Sequence, residues 1–315
     1  MLETNKAIPP YLDKSGHFVV DDSIGISLLT AASYKQKKKP YIIVCSNLYK
    51  AQNIYDFLLT FINKDDVLLF PGDELVRAEA LAQSKELLST RLYSLSKLEE
   101  NQNKILITNI AGLARYLPNS KLFYSKIFNF KVGDSYNLQD IKRSLIESGY
   151  SLVSKVDQSL QFAVRGDILD IFSVNLDNPV RIEFFDDTIE SIRLFNISNQ
   201  ISIEKLKEIT LLPGTDFLLD SNELRLATDR IHEILEKDQK HLDYPTFENL
   251  RNITDGDISD LLENQVNQRL YKYFGFLQNN NFSLLDYFED ATIVGVERES
   301  LLTSSTMLLE QSREY

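Results

Sequence analysis

Tyr41-Ile42-Ile43-Val44-Cys45 is an unbroken apolar run, bounded by Lys37-Lys38-Lys39-Pro40 before it and Ser46-Asn47 after it. A strand with one wet face alternates apolar and polar residues. A continuous run must be covered on both faces, as strands of a parallel sheet are. A second strand is expected at 67–70, where Pro71-Gly72 stops it, and a third at 104–108. The intervals carry helical spacing. Leu28, Leu29, Ala31 and Ala32 point inward from a helix over 27–37, and its closing lysines suit a helix C-terminus. Ile54, Phe57, Leu58 and Phe61 recur at three and four in a helix from 48 to about 61, with Ser46 or Asn47 as its cap. A long helix is expected over 74–100, and a further helical turn or two over 110–117. Strands separated by helices of this length imply βαβ units and a parallel sheet.

The pattern changes near 118–130. Residues 137–148 read as one amphipathic helix with Asn137 before it and Gly149 as its stop. Short strands follow at 161–164, 167–172, 180–185 and 189–195, with Asp186-Asp187 marking a hairpin between the last two. This helix and meander form a separate α+β unit ending near residue 210. Helical spacing then returns over 221–237 and 257–276, before one late strand at 291–296. That strand cannot build a core alone and is expected to join the first sheet, making the meander an insertion in a split α/β domain.

Charge is uneven along the chain, which has 34 basic and 46 acidic residues. Residues 1–123 carry 15 basic and 13 acidic groups, 124–210 carry 10 and 13, and 211–315 carry 9 and 20. Binding to a duplex needs several cations to release condensed counterions, so the last third is a poor nucleic-acid surface. No apolar run approaches the ~20 residues of a membrane-spanning helix, and the opening ten residues lack a secretory signal's apolar core. One cysteine, Cys45, permits no internal disulfide; this fits a reducing cytoplasm.

Catalytic chemistry is sparse. A P-loop would follow the expected first strand, 18–20, and needs glycines, a lysine and a hydroxyl. The residues there are Asp21-Asp22-Ser23-Ile24-Gly25-Ile26-Ser27, with one glycine, no lysine and two carboxylates where a triphosphate would lie. A scaffold that kept the shape and lost the chemistry is the simpler reading; a weak nucleotide site is the other. His17, His232 and His241 lack metal-ligand spacing, and no G-x-S-x-G elbow occurs. Asp65-Asp66 and Asp186-Asp187 suit turns and caps, and Cys45 lies within a buried-strand pattern. No cofactor and no metal are expected.

The informative segment runs from Phe162 to Asp187. Strand alternation puts Ile182 and Phe184 on one face and Arg181, Glu183 and Phe185 on the other. Arg165 precedes Gly166, a bulge or turn position that carries its guanidinium to the sheet margin near the second face. An exposed phenylalanine among arginines has the composition of a protein-interface hot spot. The competing reading packs Phe185 under the 137–148 helix and leaves the arginines in weak surface ion pairs.

Ala163-Val164-Arg165-Gly166-Asp167-Ile168-Leu169-Asp170-Ile171-Phe172, followed by Arg181-Ile182-Glu183-Phe184-Phe185-Asp186-Asp187-Thr188-Ile189-Glu190-Ser191-Ile192-Arg193, resembles the UvrB homology region of the bacterial transcription-repair coupling factors, the Mfd family. Asn47-Leu48-Tyr49-Lys50-Ala51-Gln52, Phe70-Pro71-Gly72-Asp73-Glu74, Ser89-Thr90-Arg91-Leu92 and Ile209-Thr210-Leu211-Leu212-Pro213 occur in the family's order. UvrB itself has an intact P-loop and a tyrosine-rich hairpin for damaged DNA. Here the loop is degenerate and Tyr93 is the one tyrosine between Phe70 and Lys104. The resemblance implies a degenerate P-loop-like α/β domain in two segments, 1–123 and 211–315, around an inserted α+β, UvrA-binding-like domain at 124–210. It implies that Arg165, Arg181 and Phe185 contact UvrA, with Gly166 and Glu183 supporting. The other partners implied are the remaining domains of a full-length protein: an RNA-polymerase-binding domain, an ATP-dependent translocase motor and an autoinhibitory C-terminal domain. The segment itself is expected to be an N-terminal piece that hydrolyses nothing, does not bind DNA strongly and recruits UvrA by mimicking UvrB. A UvrB-like NTPase or DNA-damage binder is the alternative.

Overall fold

The computed structural model describes residues 22–73, 85–219, 221–262 and 282–313, together with Gly16, Leu270, Lys272 and Tyr273. The expected strand at 18–20, the start of the long helix at 74–84 and His17 lie outside the described residues. The chain divides into two compact units, one of residues 1–116 with 282–315 and the other of residues 117–281.

In the first unit, helix α1 (Ser23–Lys37) begins with Asp22, whose side chain accepts a hydrogen bond from Gly25 N–H at 2.8 Å. Strand β1 (Tyr41–Cys45) is buried at every position. Between the two candidate caps the structure selects Asn47, which accepts from Lys50 N–H at 2.9 Å to start α2 (Leu48–Leu59). Strand β2 (Val67–Phe70), helix α3 (Lys85–Glu100), strand β3 (Ile105–Asn109) and a short helix, α4 (Ile110–Leu113), follow. Tyr41, Ile43 and Cys45 pack with Ala51, Ile54 and Leu58 of α2, and Ile42 and Val44 are buried as well. Unbroken apolar strands have no face to spare for solvent. Burial pushes the Cys45 thiol up to about 12, so it stays protonated and unreactive at neutral pH. A thiol reagent should leave the native protein unlabelled and modify one cysteine after denaturation.

The second unit opens with α5 (Ser120–Ser125) and β4 (Phe128–Lys131). Helix α6 (Leu138–Glu147) has Asn137 as its cap, accepting from Gln139 and Asp140 N–H, and Gly149 takes φ +86° just beyond its end. Strands β5 (Ser151–Leu152), β6 (Gln161–Arg165), β7 (Ile168–Phe172), β8 (Val180–Phe185), β9 (Thr188–Phe195) and β10 (Ser202–Leu206) form one sheet in the order β10-β9-β8-β7-β6-β5. Strand β11 (Glu208–Leu211) pairs antiparallel with β4, so the residues that lead into the meander and those that leave it lie side by side. Neither β10 nor the β4–β11 pair was expected from the sequence pattern.

Helices α7 (Ser221–Asp238) and α8 (Tyr244–Leu262) come next. The expected boundary at 211 assigns them to the α/β domain; the structure groups them with the meander unit instead. Their apolar faces meet in a separate core that includes Phe217, Ala227, Ile231, Ile258 and Leu261. The chain leading to them is tied down as well. Tyr150 Oη donates to the Leu212 carbonyl at 2.5 Å, and Gly214 N–H donates to the Ser148 carbonyl at 2.6 Å. Helical period reports that a face is apolar, but not what it packs against.

The chain then returns to the first unit as β12 (Thr292–Gly295) and α9 (Arg298–Arg313). Strand β12 pairs in parallel with β1, Ile42 opposite Ile293, and completes the sheet order β12-β1-β3-β2. At the carboxyl end of this sheet, Glu297 is ion-paired with Lys50 and accepts from Ser300 Oγ at 2.9 Å. Among the described residues no helix is long and apolar enough to cross a membrane.

Candidate protein-binding face

The six-stranded sheet has two faces of opposite character. Phe162, Leu169, Ile171, Val180, Ile182 and Phe184 point to one side and pack with Ile141 and Leu145 of α6. That is where the helix lies, so the residues between them emerge on the other side. The turns Gly166-Asp167 and Asp186-Asp187 each join their strands with two residues. Left-handed backbone at the first position, φ +58° at Gly166 and +52° at Asp186, matches the twist of such hairpins. Phe184 N–H donates to the Asp167 carbonyl at 2.9 Å, bringing both turns to the same end of the sheet. Arg165 and Phe185, each the last residue before its turn, therefore belong to one rim.

On the outer face the organising group is Asp170, in the centre of β7 and 1% exposed. A buried carboxylate is costly unless paired and hydrogen-bonded. Arg181, directly opposite on β8, donates from Nε at 2.6 Å and from Nη2 at 2.7 Å, a bidentate clamp on both carboxylate oxygens. This bonding raises the pKa of the guanidinium, whose charge is thus fixed. Arg181 Nη2 also donates to Gln200 Oε1 at 3.0 Å, and its guanidinium stacks 4.5 Å from the centroid of the Phe195 ring. Arg165 reaches the same carboxylate with Nη2 at 3.2 Å, yet its side chain remains 52% exposed.

Glu183 is held by Ser191 Oγ at 2.7 Å and by an ion pair with Arg193 on β9. Phe185 is 71% exposed and is not covered by α6. Of the two readings left open for Phe185, the packed one is excluded. The structure thus brings Arg165, Arg181, Glu183 and Phe185 to one face, with Gly166 at the adjoining turn. It gives the arginines unequal standing: Arg165 offers most of its surface to solvent, whereas Arg181 is 17% exposed and neutralises a buried charge.

Asp170, Arg193, Phe195 and Gln200 were missed by sequence reasoning. Period-two spacing in Ile168-Leu169-Asp170-Ile171-Phe172 places Asp170 opposite Leu169 and Ile171, on the arginine side. That signal was available. Its burial and its two guanidinium partners depend on cross-strand register and were not.

Residues 128–217 match the family model of the UvrB interaction domain. The sheet with one helix-covered face and one face of ordered charges around a bare aromatic ring thus belongs to a domain of that class. Over most of its length the chain is similar to the transcription-repair-coupling factor of Bacillus subtilis (strain 168), 32% identical over 278 residues that cover 87% of this chain and 23% of the relative. It is also similar to that of Staphylococcus aureus (strain bovine RF122 / ET3-1), 25% identical over 272 residues that cover 85% of this chain and 23% of the relative. The chain is a UvrB-homology module of the transcription-repair-coupling factor family, and it spans under a quarter of the length of these curated relatives.

Proposed function

We propose that the outer face of the β5–β10 sheet docks UvrA, and that the module recruits this repair protein to stalled RNA polymerase by presenting a surface like that of UvrB. The observation that carries this reading is the exposed Phe185 ring beside arginines fixed by Asp170, within a domain matching the UvrB interaction family. Pre-ordered arginines lose little side-chain freedom on docking, and a bare aromatic ring gains by desolvation in a partner's pocket. Arg165, Arg181 and Phe185 are the contact residues, with Gly166 and Glu183 shaping the strand ends around them.

The first unit serves as a degenerate P-loop-like scaffold with no ATPase activity of its own. Support comes from the start of α1. A helix N-terminus attracts phosphate through its free N–H groups, but the Asp22 carboxylate already takes the Gly25 N–H. Glu297, at the carboxyl end of the sheet where ligands of open α/β folds bind, is engaged by Lys50 and Ser300.

The test is a calorimetric titration of purified UvrA. Phe185→Ala is expected to weaken binding by about 2 kcal/mol, roughly 30-fold, as for a central hot-spot aromatic. With 71% of the residue already exposed, the melting temperature should hold. Unchanged affinity removes this face from UvrA binding. Titrations with ATP and with a damaged duplex at physiological salt separate the NTPase or DNA-binding alternative: the scaffold reading expects no saturable binding, and saturation by either overturns it.

A further inference from the structure

We infer that the docking face extends beyond Arg165, Arg181 and Phe185, along a row of cations across the sheet to Lys205 on the edge strand, and that the partner surface it fits is acidic. The inference rests on the UvrA-docking reading above and adds Arg193 and Lys205 as determinants of that contact. The register puts Asp170 opposite Arg181, Arg181 opposite Arg193, and Arg193 opposite Lys205. Directly opposite residues of an antiparallel pair share a face, and adjacent strands lie about 4.8 Å apart. Arg181, Arg193 and Lys205 therefore form one line on the outer face, on three successive strands.

Like charges directly opposite one another destabilise a sheet. Here two such pairs are adjacent, Arg181 with Arg193 and Arg193 with Lys205. Asp170 and Glu183 compensate Arg181 and Arg193 within the face. Arg165 shares Asp170 with Arg181, and Lys205, exposed at the edge, has no ion-pair partner among the described residues. The row thus carries cations Arg165, Arg181, Arg193 and Lys205 against carboxylates Asp170 and Glu183, a local excess of positive charge along the line of cross-strand pairs, with Asp167, Asp186 and Asp187 confined to the turns at its rim and Glu190 to the bulge of β9, in a chain whose net charge is −12. Local charge opposite in sign to the whole molecule is a docking signal for an acidic surface, acting mainly on encounter rate and register.

Protein is favoured over nucleic acid because the row carries carboxylates within it and ends beside an exposed phenyl ring. A phosphate backbone is repelled by the first and gains nothing from the second.

Lys205→Glu is the direct probe, since an exposed edge-strand side chain can be reversed in charge without disturbing Asp170. The 315-residue chain and purified UvrA are titrated at low and at high salt, with Phe185→Ala and a duplex oligonucleotide as further arms. Lys205→Glu is expected to weaken UvrA binding about tenfold at low salt, chiefly through slower association, and the deficit should shrink as salt screens the charge. Wild-type affinity for Lys205→Glu together with weakened Phe185→Ala overturns the extended row while leaving the docking face standing. Wild-type affinity for both variants overturns the docking face, and the row with it. Saturable duplex binding abolished by Lys205→Glu, with UvrA binding intact, overturns the assignment to an acidic protein.

Discussion

Arg181→Glu is expected to unfold the meander unit, or bring it close to unfolding, rather than only silence its surface. The clamp of Arg181 on Asp170, at 2.6 and 2.7 Å, is what permits a carboxylate 1% exposed to lie in the middle of the sheet. Removing one partner of a buried ion pair costs about 3–5 kcal/mol, because the other charge is left without compensation. Glutamate does more, setting a second carboxylate against the first. Arg165, at 3.2 Å from one oxygen of Asp170, offsets only part of the loss, since its largely exposed guanidinium is screened by water. Domains of this size are stable by about 5–15 kcal/mol, so the change consumes much of the margin. Urea denaturation checks it: the midpoint should fall steeply in Arg181→Glu, and a substantial part should return in Asp170→Asn/Arg181→Gln, which removes both charges. A wild-type midpoint for Arg181→Glu refutes the structural role of the clamp. For the same reason, loss of UvrA binding by Arg181→Glu alone does not measure a contact, and Phe185→Ala and Lys205→Glu carry the functional test.

Legibility in the sequence followed the range of the interaction concerned. Strand alternation is local, so the shared face of Arg181, Glu183 and Phe185 could be read from residues 181–185 alone. Turn chemistry is also local, and Asp186-Asp187 marked its hairpin. The strands expected at 41–45, 67–70 and 104–108 appear as β1, β2 and, shifted by one residue, β3, each buried at every position. Asp170 was visible only as an acid in a strand, because its burial depends on which residues the register brings opposite. Helix α7 was legible as a helix but not by unit, since Ile231 announces an apolar face without naming what covers it; α8 runs over Tyr244–Leu262 where a helix was expected over 257–276, so only its last turns, Ile258 among them, were read as helical. The β4–β11 pair joins residues about eighty positions apart and left no local mark. The consequence for function is specific: alternation could put the Phe185 ring on the arginine face, whereas its exposure, and the second task of Arg181 in neutralising a buried carboxylate, required the third dimension.

Gly72→Ala is expected to destabilise the first unit by about 3 kcal/mol or more, at the upper end of the range for overpacked sites. The reason is contact rather than backbone conformation. A Cβ at residue 72 would lie 1.9 Å from the Gly112 amide nitrogen and 2.3 Å from the Ala111 carbonyl carbon, both main-chain atoms that no rotamer change can move. Gly72 N–H donates to Asn109 Oδ1 at 2.8 Å, and Asn109 Nδ2 donates to the Gly72 carbonyl at 3.0 Å. Asn109 Oδ1 also accepts from Gly112 N–H at 3.1 Å, so a shift that admits the methyl group strains three hydrogen bonds of one buried side chain. Asn109 caps α4, and the same movement would therefore loosen that helix from the end of β3. Gly166→Ala is the matched control. Nothing lies within 4 Å of a Cβ there, and its φ of +58° should cost only about 1 kcal/mol of left-handed strain. Thermal melts of the two variants should differ by several degrees, with Gly72→Ala the lower; equal melting temperatures would mean that the Phe70-Pro71-Gly72-Asp73 loop can move away from Gly112, and that the motif's glycine is kept for some reason other than close packing.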